Sequence, residues 1–187
     1  MMNNLLCTTP RLLIRQLTQD DHPQLSAILA DPEVMKHSLR GVCDAAMTQT
    51  FLDWCLRCYA TYGFGPWALV DQASGALVGF CGISPELVGE QLETNLGYRL
   101  ARNFWGKGLA TEAVEAVLTL AFETLQRDSV VVIIEPDHPA SRRVAEKAGF
   151  CEPQRMVFHQ RQIDLYRMEH RMYLATAKPA GGAIKQP

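Results

Sequence analysis

The sequence predicts a single α/β domain, and two stretches carry most of that prediction. In the first, a strand-like segment at residues 96–100 passes through a turn bracketed by Gly106 and Gly108. It then enters a helix whose apolar residues Leu109, Ala113, Val114, Val117, Leu118, Ala121, Phe122 and Leu125 recur on one face. In the second, Val130-Val131-Val132-Ile133-Ile134 is a continuous apolar run between polar neighbours. That is the pattern of a strand covered on both faces, here the parallel partner of residues 96–100 across the crossover helix. A chain of 187 residues with 48% hydrophobic residues can bury one sizeable core, so residues 1–175 are assigned to one domain.

The remaining elements follow in chain order. Residues 11–17 alternate as a strand does, and Thr18 with Asp21 caps a helix running towards Ala30. Asp44 starts a second helix that ends before Gly63. Residues 66–71 and 76–84 form a hairpin around Gln72-Ala73-Ser74-Gly75, and residues 93–100 the next strand. Beyond residue 134, Pro139 suits the first turn of another helix, which Gly149 terminates. Strands at 154–159 and 164–174 complete the sheet, and the tail 176–187, with Pro179, Gly181, Gly182 and Pro187, is expected to be disordered.

Composition excludes several classes of function. A net charge of -2 gives no electrostatic footprint for a nucleic acid or an anionic membrane. There is no apolar run long enough to span a bilayer and no secretory leader pattern, so the expected location is cytoplasmic. Cys55 and Cys58 form the one Cys-x-x-Cys among six cysteines, but it lies within a helical apolar pattern and has no second pair of matching spacing. Packing outweighs metal binding there, no metal is expected, and reduced thiols are the default.

The glycine turn carries the chemistry. Glycines at 106 and 108 allow a tight turn and close approach of a ligand, and the first turn of the following helix offers N–H groups with no intrahelical partner. A phosphate or pyrophosphate fits there, aided by the positive end of the helix dipole. A Walker loop is excluded because residues 97–111 lack its glycine and Lys-Ser/Thr spacing. A dinucleotide fingerprint fits poorly, since Thr111 stands where a third small residue belongs and, about twenty residues on, Gln126 and Asp128 close a helix rather than end a second strand.

An ordered set of segments resembles the GNAT superfamily of acetyl-coenzyme A-dependent N-acetyltransferases, and within it the RimJ/RimL-like branch. These are Thr9-Pro10-Arg11-Leu12-Leu13-Ile14-Arg15, Asp31-Pro32-Glu33-Val34-Met35, Trp67-Ala68-Leu69-Val70, Leu77-Val78-Gly79-Phe80-Cys81-Gly82 and Leu96-Gly97-Tyr98-Arg99-Leu100. Then come Trp105-Gly106-Lys107-Gly108-Leu109-Ala110-Thr111-Glu112-Ala113, Glu135-Pro136-Asp137-His138-Pro139-Ala140-Ser141 and Glu146-Lys147-Ala148-Gly149-Phe150. Two positions depart from the family pattern: Asn103 stands where Gln or Arg is common, and His138 where Asn is common. Main-chain amides do the phosphate binding, so the cradle survives both changes.

The resemblance implies a mixed, mostly antiparallel twisted sheet of about seven strands, flanked by helices and splayed between the fourth and fifth strands. Acetyl-coenzyme A is then the co-substrate, held by Tyr98, Arg99, Leu100, Trp105, Gly106, Lys107, Gly108, Leu109, Ala110, Thr111, His138 and Ser141. The pantetheine arm pairs with the splayed strands, an amine attacks the thioester directly, and a main-chain N–H within residues 96–100 steadies the oxyanion. Ser141 is the candidate proton donor to the leaving sulfur, against a plain helix-start role. Glu93 is the candidate base, against a solvated edge charge. His138 is a residue that titrates near neutrality unless its loop packs it away.

The acceptor is an amine. A lysine side chain of pKa about 10.4 is neutral at pH 7 in only about one molecule in a few thousand, whereas an α-amine near 8 is roughly a tenth neutral. With no obvious strong base, the N-terminal α-amine of a peptide or protein is the leading acceptor, as the RimJ/RimL likeness also implies. A small amine (polyamine, antibiotic or amino acid) is the alternative, and an acyl-coenzyme A sensor without turnover is the alternative of another class. Trp54, Tyr59, Tyr62 and Trp67 are candidates for an acceptor cleft or for plain core. A homodimer is left open by the sequence.

Overall fold

The computed structural model describes residues 5–176. Eight strands form one sheet in the order β1-β2-β3-β4-β5-β6-β8-β7: β1 (Leu5–Thr8), β2 (Leu12–Gln16), β3 (Pro66–Asp71), β4 (Leu77–Val88), β5 (Gln91–Leu100), β6 (Ser129–Ile134), β7 (Gln154–Phe158) and β8 (Arg161–Glu169). Every neighbouring pair is antiparallel except β5 and β6. The helices are α1 (His22–Leu29), α2 (Pro32–Met35), α3 (Ala45–Tyr62), α4 (Leu109–Thr119), α5 (Pro139–Lys147) and α6 (His170–Thr176).

Local chemistry sets the bounds of the best-predicted elements. The Asp44 carboxylate accepts from the Met47 N–H at 2.8 Å, which caps α3. Gly63 ends it at φ +76°, donating to the Tyr59 carbonyl at 3.0 Å. Inside α3, Cys55 and Cys58 are buried free thiols on the packed face of the helix. Thr18 donates its N–H to the Asp21 carboxylate at 2.8 Å and opens a 3₁₀ turn leading into α1. The crossover helix runs on from Thr119 as one π turn through Leu120–Thr124.

The sheet buries both faces. On one, α4, α5 and α6 cover Leu12, Trp67, Val78, Leu96, Val130 and Val132; on the other, α1, α2 and α3 cover Ala68, Val70 and Leu77. Val131 joins Val88, Phe158, Ile163 and Leu165 in a third cluster, so β6 is covered on both sides.

Three expectations are corrected. The sheet has an eighth strand, β1, whose four residues have no legible alternation and form a strand because β2 offers an edge. The last strand stops at Glu169, opposite Ser129, where β6 begins and pairing runs out. The chain then turns into α6, whose Tyr173 ring lies 4.8 Å from Phe122, so Leu174 is helical. Thr176 closes that helix, and the rest of the expected tail lies outside the described residues.

Gly79 tests the packing that supports the site. It sits at the β4 bulge with φ +150°, and a Cβ there would lie 2.0 Å from the Arg99 carbonyl oxygen of β5. Gly79→Ala is expected to cost about 1–3 kcal/mol, a fall in Tm of about 2–4 °C for each kcal/mol. A thermal melt that superimposes on the wild type would show that β4 and β5 are not so tightly apposed.

Candidate active site

The site is built on the one parallel seam. β5 and β6 are in register only at Asn95 and Val131, and beyond that pair their C-terminal ends part. The inward backbone groups of residues 96–100 and 132–134 are left without a strand partner across the gap, which is a place for an extended ligand to pair. Both crossover connections begin at this end of the seam, so α4 and α5 start beside it.

The approach to α4 has the geometry of an anion cradle. Gly106 and Gly108 take φ +73° and +78°, and Gly108 is the N-cap of α4. The first intrahelical bond of α4 is Glu112 N–H to the Gly108 carbonyl at 3.1 Å, which leaves the amides of Leu109, Ala110 and Thr111 free of helix partners. Residues 105–108 are exposed and so approachable from solvent.

A clamp from the N-terminal strand region fixes this loop. Arg11 donates from Nη1 to the Lys107 carbonyl at 2.7 Å and from Nε to Glu112 at 2.7 Å, while Thr9 donates to Glu112 at 2.6 Å. Burial raises the Glu112 pKa, but the hydrogen bonds from Thr9 and Arg11 outweigh it and hold the carboxyl below its ordinary value. Trp105 donates from its indole to the Leu100 carbonyl at 2.8 Å, tying the loop to the end of β5.

A cavity of about 330 Å³ runs through the sheet at the seam. On the α4 and α5 side it is lined by Val114, Ser141, Val144, Ala145 and Tyr98. On the opposite face it meets Met35, His37, Phe51, Trp54, Phe80 and Arg99. Gly97 lies between, and nothing stands within 4 Å of where its Cβ would be. The two faces of the sheet are thereby connected at the point where β5 and β6 separate.

Residues 11–151 match the family model described as the acetyltransferase (GNAT) domain. The chain belongs to the GNAT acetyltransferase family. It is an acyltransferase, and enzymes of this family use acetyl-coenzyme A. The chain is 35% identical to the uncharacterized protein YkkB of Bacillus subtilis (strain 168) over 142 residues, 75% of this chain and 82% of that one. Among solved structures, the acetyltransferase from Agrobacterium tumefaciens str. C58 is similar with a TM-score of 0.76 and 27% identity, covering 90% of this chain and 96% of that one. The spermidine N-acetyltransferase from Vibrio cholerae in complex with CoA and spermine has a TM-score of 0.74 at 14% identity, over 89% and 99% of the two chains, and shows the shared fold alone.

Within this GNAT site, Ser141 and Tyr98 lie together. Tyr98 Oη is 3.1 Å from Ser141 Oγ, and His138 Nε2 is 3.4 Å from the same oxygen. The His138 ring stacks on His37 at 3.9 Å. Burial, and then the neighbouring His37 and Arg99, push the His138 pKa down to about 4. Of the two expectations for His138, the packed loop histidine is the one this environment favours, with the neutral form held at pH 7. Burial also raises the Tyr98 phenol, despite its hydrogen bond with Ser141.

Arg99 lines the cavity on the side of α1 to α3. It donates to the Tyr98 carbonyl at 3.0 Å, and burial lowers its pKa. Leu100 is buried in the core, and Lys107 rests its ammonium 5.4 Å from the Phe104 ring centroid. Glu93 is not among the residues lining the cavity. It is 8% exposed, and both its oxygens accept from Arg167 of β8, one at 2.9 Å. Of the four acceptor-cleft aromatics, Trp54 alone lines the cavity; Trp67 is core, Tyr59 bonds the Pro66 carbonyl, and Tyr62 is half exposed.

Sequence reasoning missed His37, Ser84, Glu86, Asn95 and Glu135. His37 donates from Nδ1 to Glu135 at 2.8 Å, and Arg161 pairs with the other oxygen of that carboxylate. Hairpin register was the available signal for two of them, since Ser84 pairs with Asn95 when residues are counted back from the turn at Gly89.

Gly108→Val places a β-branched side chain at φ +78° and puts a Cβ 3.6 Å from the Arg11 guanidinium. The left-handed conformation then costs about 1–2 kcal/mol. Calorimetry is expected to show coenzyme A affinity weakened about tenfold or more with the fold retained. A folded Gly108→Val protein with wild-type affinity would remove the loop from the cofactor site.

Proposed function

We propose that the chain is an acetyl-coenzyme A-dependent N-acetyltransferase of the RimJ/RimL-like branch that acetylates the N-terminal α-amine of a peptide or protein. The observation that carries this reading is the cavity through the sheet. Acyl donor laid along the α4 and α5 side and amine entering from the α1 to α3 side meet at one seam. The six unpaired thiols suit a reducing compartment, and we place the enzyme in the cytoplasm.

The lining argues for the acceptor class. Two carboxylates, Glu86 and Glu135, face two guanidinium groups, Arg40 and Arg99, and Glu135 is already held by His37 and Arg161. A polyamine carries several separated positive charges and needs an excess of carboxylates, which this lining lacks. An acceptor with a single ammonium and nearby carbonyl oxygens suits it better. Met35, Phe51, Trp54 and Phe80 supply apolar surface for the first side chains of a peptide, with Phe51 and Phe80 centroids 5.0 Å apart.

In this reading the coenzyme A pyrophosphate binds the free amides of residues 109–111, and a β5 main-chain N–H steadies the oxyanion. Ser141 gives its proton to the leaving sulfur, with Tyr98 and His138 close enough to replace it. Glu93 is left out because Arg167 occupies it.

Thiol release with matched peptides tests the acceptor. Peptides with a free N-terminus are expected to outpace, by about tenfold or more at pH 7, peptides with a blocked N-terminus and one internal lysine, as the neutral fractions of the two amines dictate. Preference for the blocked lysine peptide, or turnover confined to polyamines, would contradict the α-amine reading and leave the family assignment standing.

A further inference from the structure

Three oxygen-bearing side chains on one face of the β4–β5 hairpin have no assigned role. Ser84 and Asn95 are register partners, and Glu86 lies two residues further along the same strand face. All three line the cavity at the point where β5 and β6 begin to separate. The Asn95 side-chain carbonyl is buried and makes no hydrogen bond. Among the described residues neither the Ser84 hydroxyl nor the Glu86 carboxylate has a hydrogen-bond partner either. A buried acceptor without a donor costs free energy, and the Asn95 oxygen, beside the uncommitted oxygens of Ser84 and Glu86 around one hollow, points to a missing donor.

We infer that Ser84, Glu86 and Asn95 form the docking site for the acceptor's primary ammonium group, and that Glu86 takes the proton that must leave it. This rests on the amine-transfer reading given above. An ammonium carries three N–H donors, which one anionic and two neutral oxygens match. Glu86 is also the one cavity carboxylate not already engaged by a cation, since Glu135 is held by Arg161.

Glu86 accepts one proton from the ammonium and later releases it to solvent. The neutral nitrogen then forms the C–N bond as the C–S bond breaks, and the second amine proton ends on the coenzyme A sulfur.

The surroundings favour this role. Burial raises the Glu86 pKa, while His159 in the β7–β8 turn and Arg40 in the segment after α2 draw it back. Glu93 lies directly opposite on β5, and Arg167 neutralises it. The neighbouring wall from β7 and β8 is apolar, with Phe158 and Ile163.

The test uses the full chain and the best acceptor found among free-N-terminus peptides and small monoamines, so that a wrong acceptor class does not obscure the result. Glu86→Gln is expected to lower kcat/KM for that acceptor about a hundredfold at pH 7, with acetyl-coenzyme A affinity unchanged by calorimetry. The wild type should show a plateau in kcat/KM between the titrations of Glu86 and of the amine. In Glu86→Gln the neutral amine must be the reactant, so kcat/KM should climb about tenfold per pH unit up to the amine's own pKa near 8. Asn95→Leu is expected to raise acceptor KM about tenfold, and Glu86→Asp to restore the plateau at lower rate. Wild-type acceptor kinetics in Glu86→Gln, an unchanged pH profile, or a loss confined to acetyl-coenzyme A affinity would overturn the assignment.

Discussion

The constraint on which this structure depends is the parallel contact between β5 and β6. Parallel neighbours cannot be joined by a tight turn, so α4 must cross over between them, and the same geometry brings the start of α5 to the same end. The strands then hold register at a single pair, Asn95 with Val131, and separate. A sheet that closed along its whole length would bury its backbone polar groups in its own ladder. This one leaves them facing a gap, beside two helix starts whose amides are also free.

The gap has to be held open without water-filled collapse, and the surrounding packing does that. Leu96, Leu100, Val130 and Val132 anchor the two strands to α4 through a shared core, while Val131 is fixed from the other face by Ile163 and Leu165. The glycine loop is pinned separately: Arg11 and Glu112 join the start of β2 to the first turn of α4, with Lys107's carbonyl as a third point. Arg11 is half exposed, so this hydrogen-bonded pair is worth more for position than for net stability. Position is what the transfer of an acyl group between two bound partners demands.

Much of this was legible in the sequence where the cause is local. Asp44 and Gly63 marked the ends of α3, the glycines at 106 and 108 marked the cradle, and residues 72–75 marked the β3–β4 turn. What could not be read depends on residues far apart in the chain. Glu93 and Glu86 sit opposite each other with similar local context, and it is Arg167, 74 residues beyond Glu93, that claims one and leaves the other in the cavity. His138 looks like an ordinary loop histidine until His37 stacks on it and Arg99 lies near, which together with burial drives its pKa down. Strand β1 and helix α6 were missed for the same reason: each is decided by what it packs against.

The central claim is that coenzyme A occupies the parted seam and the α4 cradle. Amide chemical shifts of the labelled protein on titration with coenzyme A test it most directly. The account predicts that the largest changes fall on Gly106, Gly108, Leu109, Ala110 and Thr111 and on β5 from Gly97 to Leu100, with α3 and the β7–β8 turn little affected. Binding with changes concentrated elsewhere, or a seam whose amides do not respond, would contradict it.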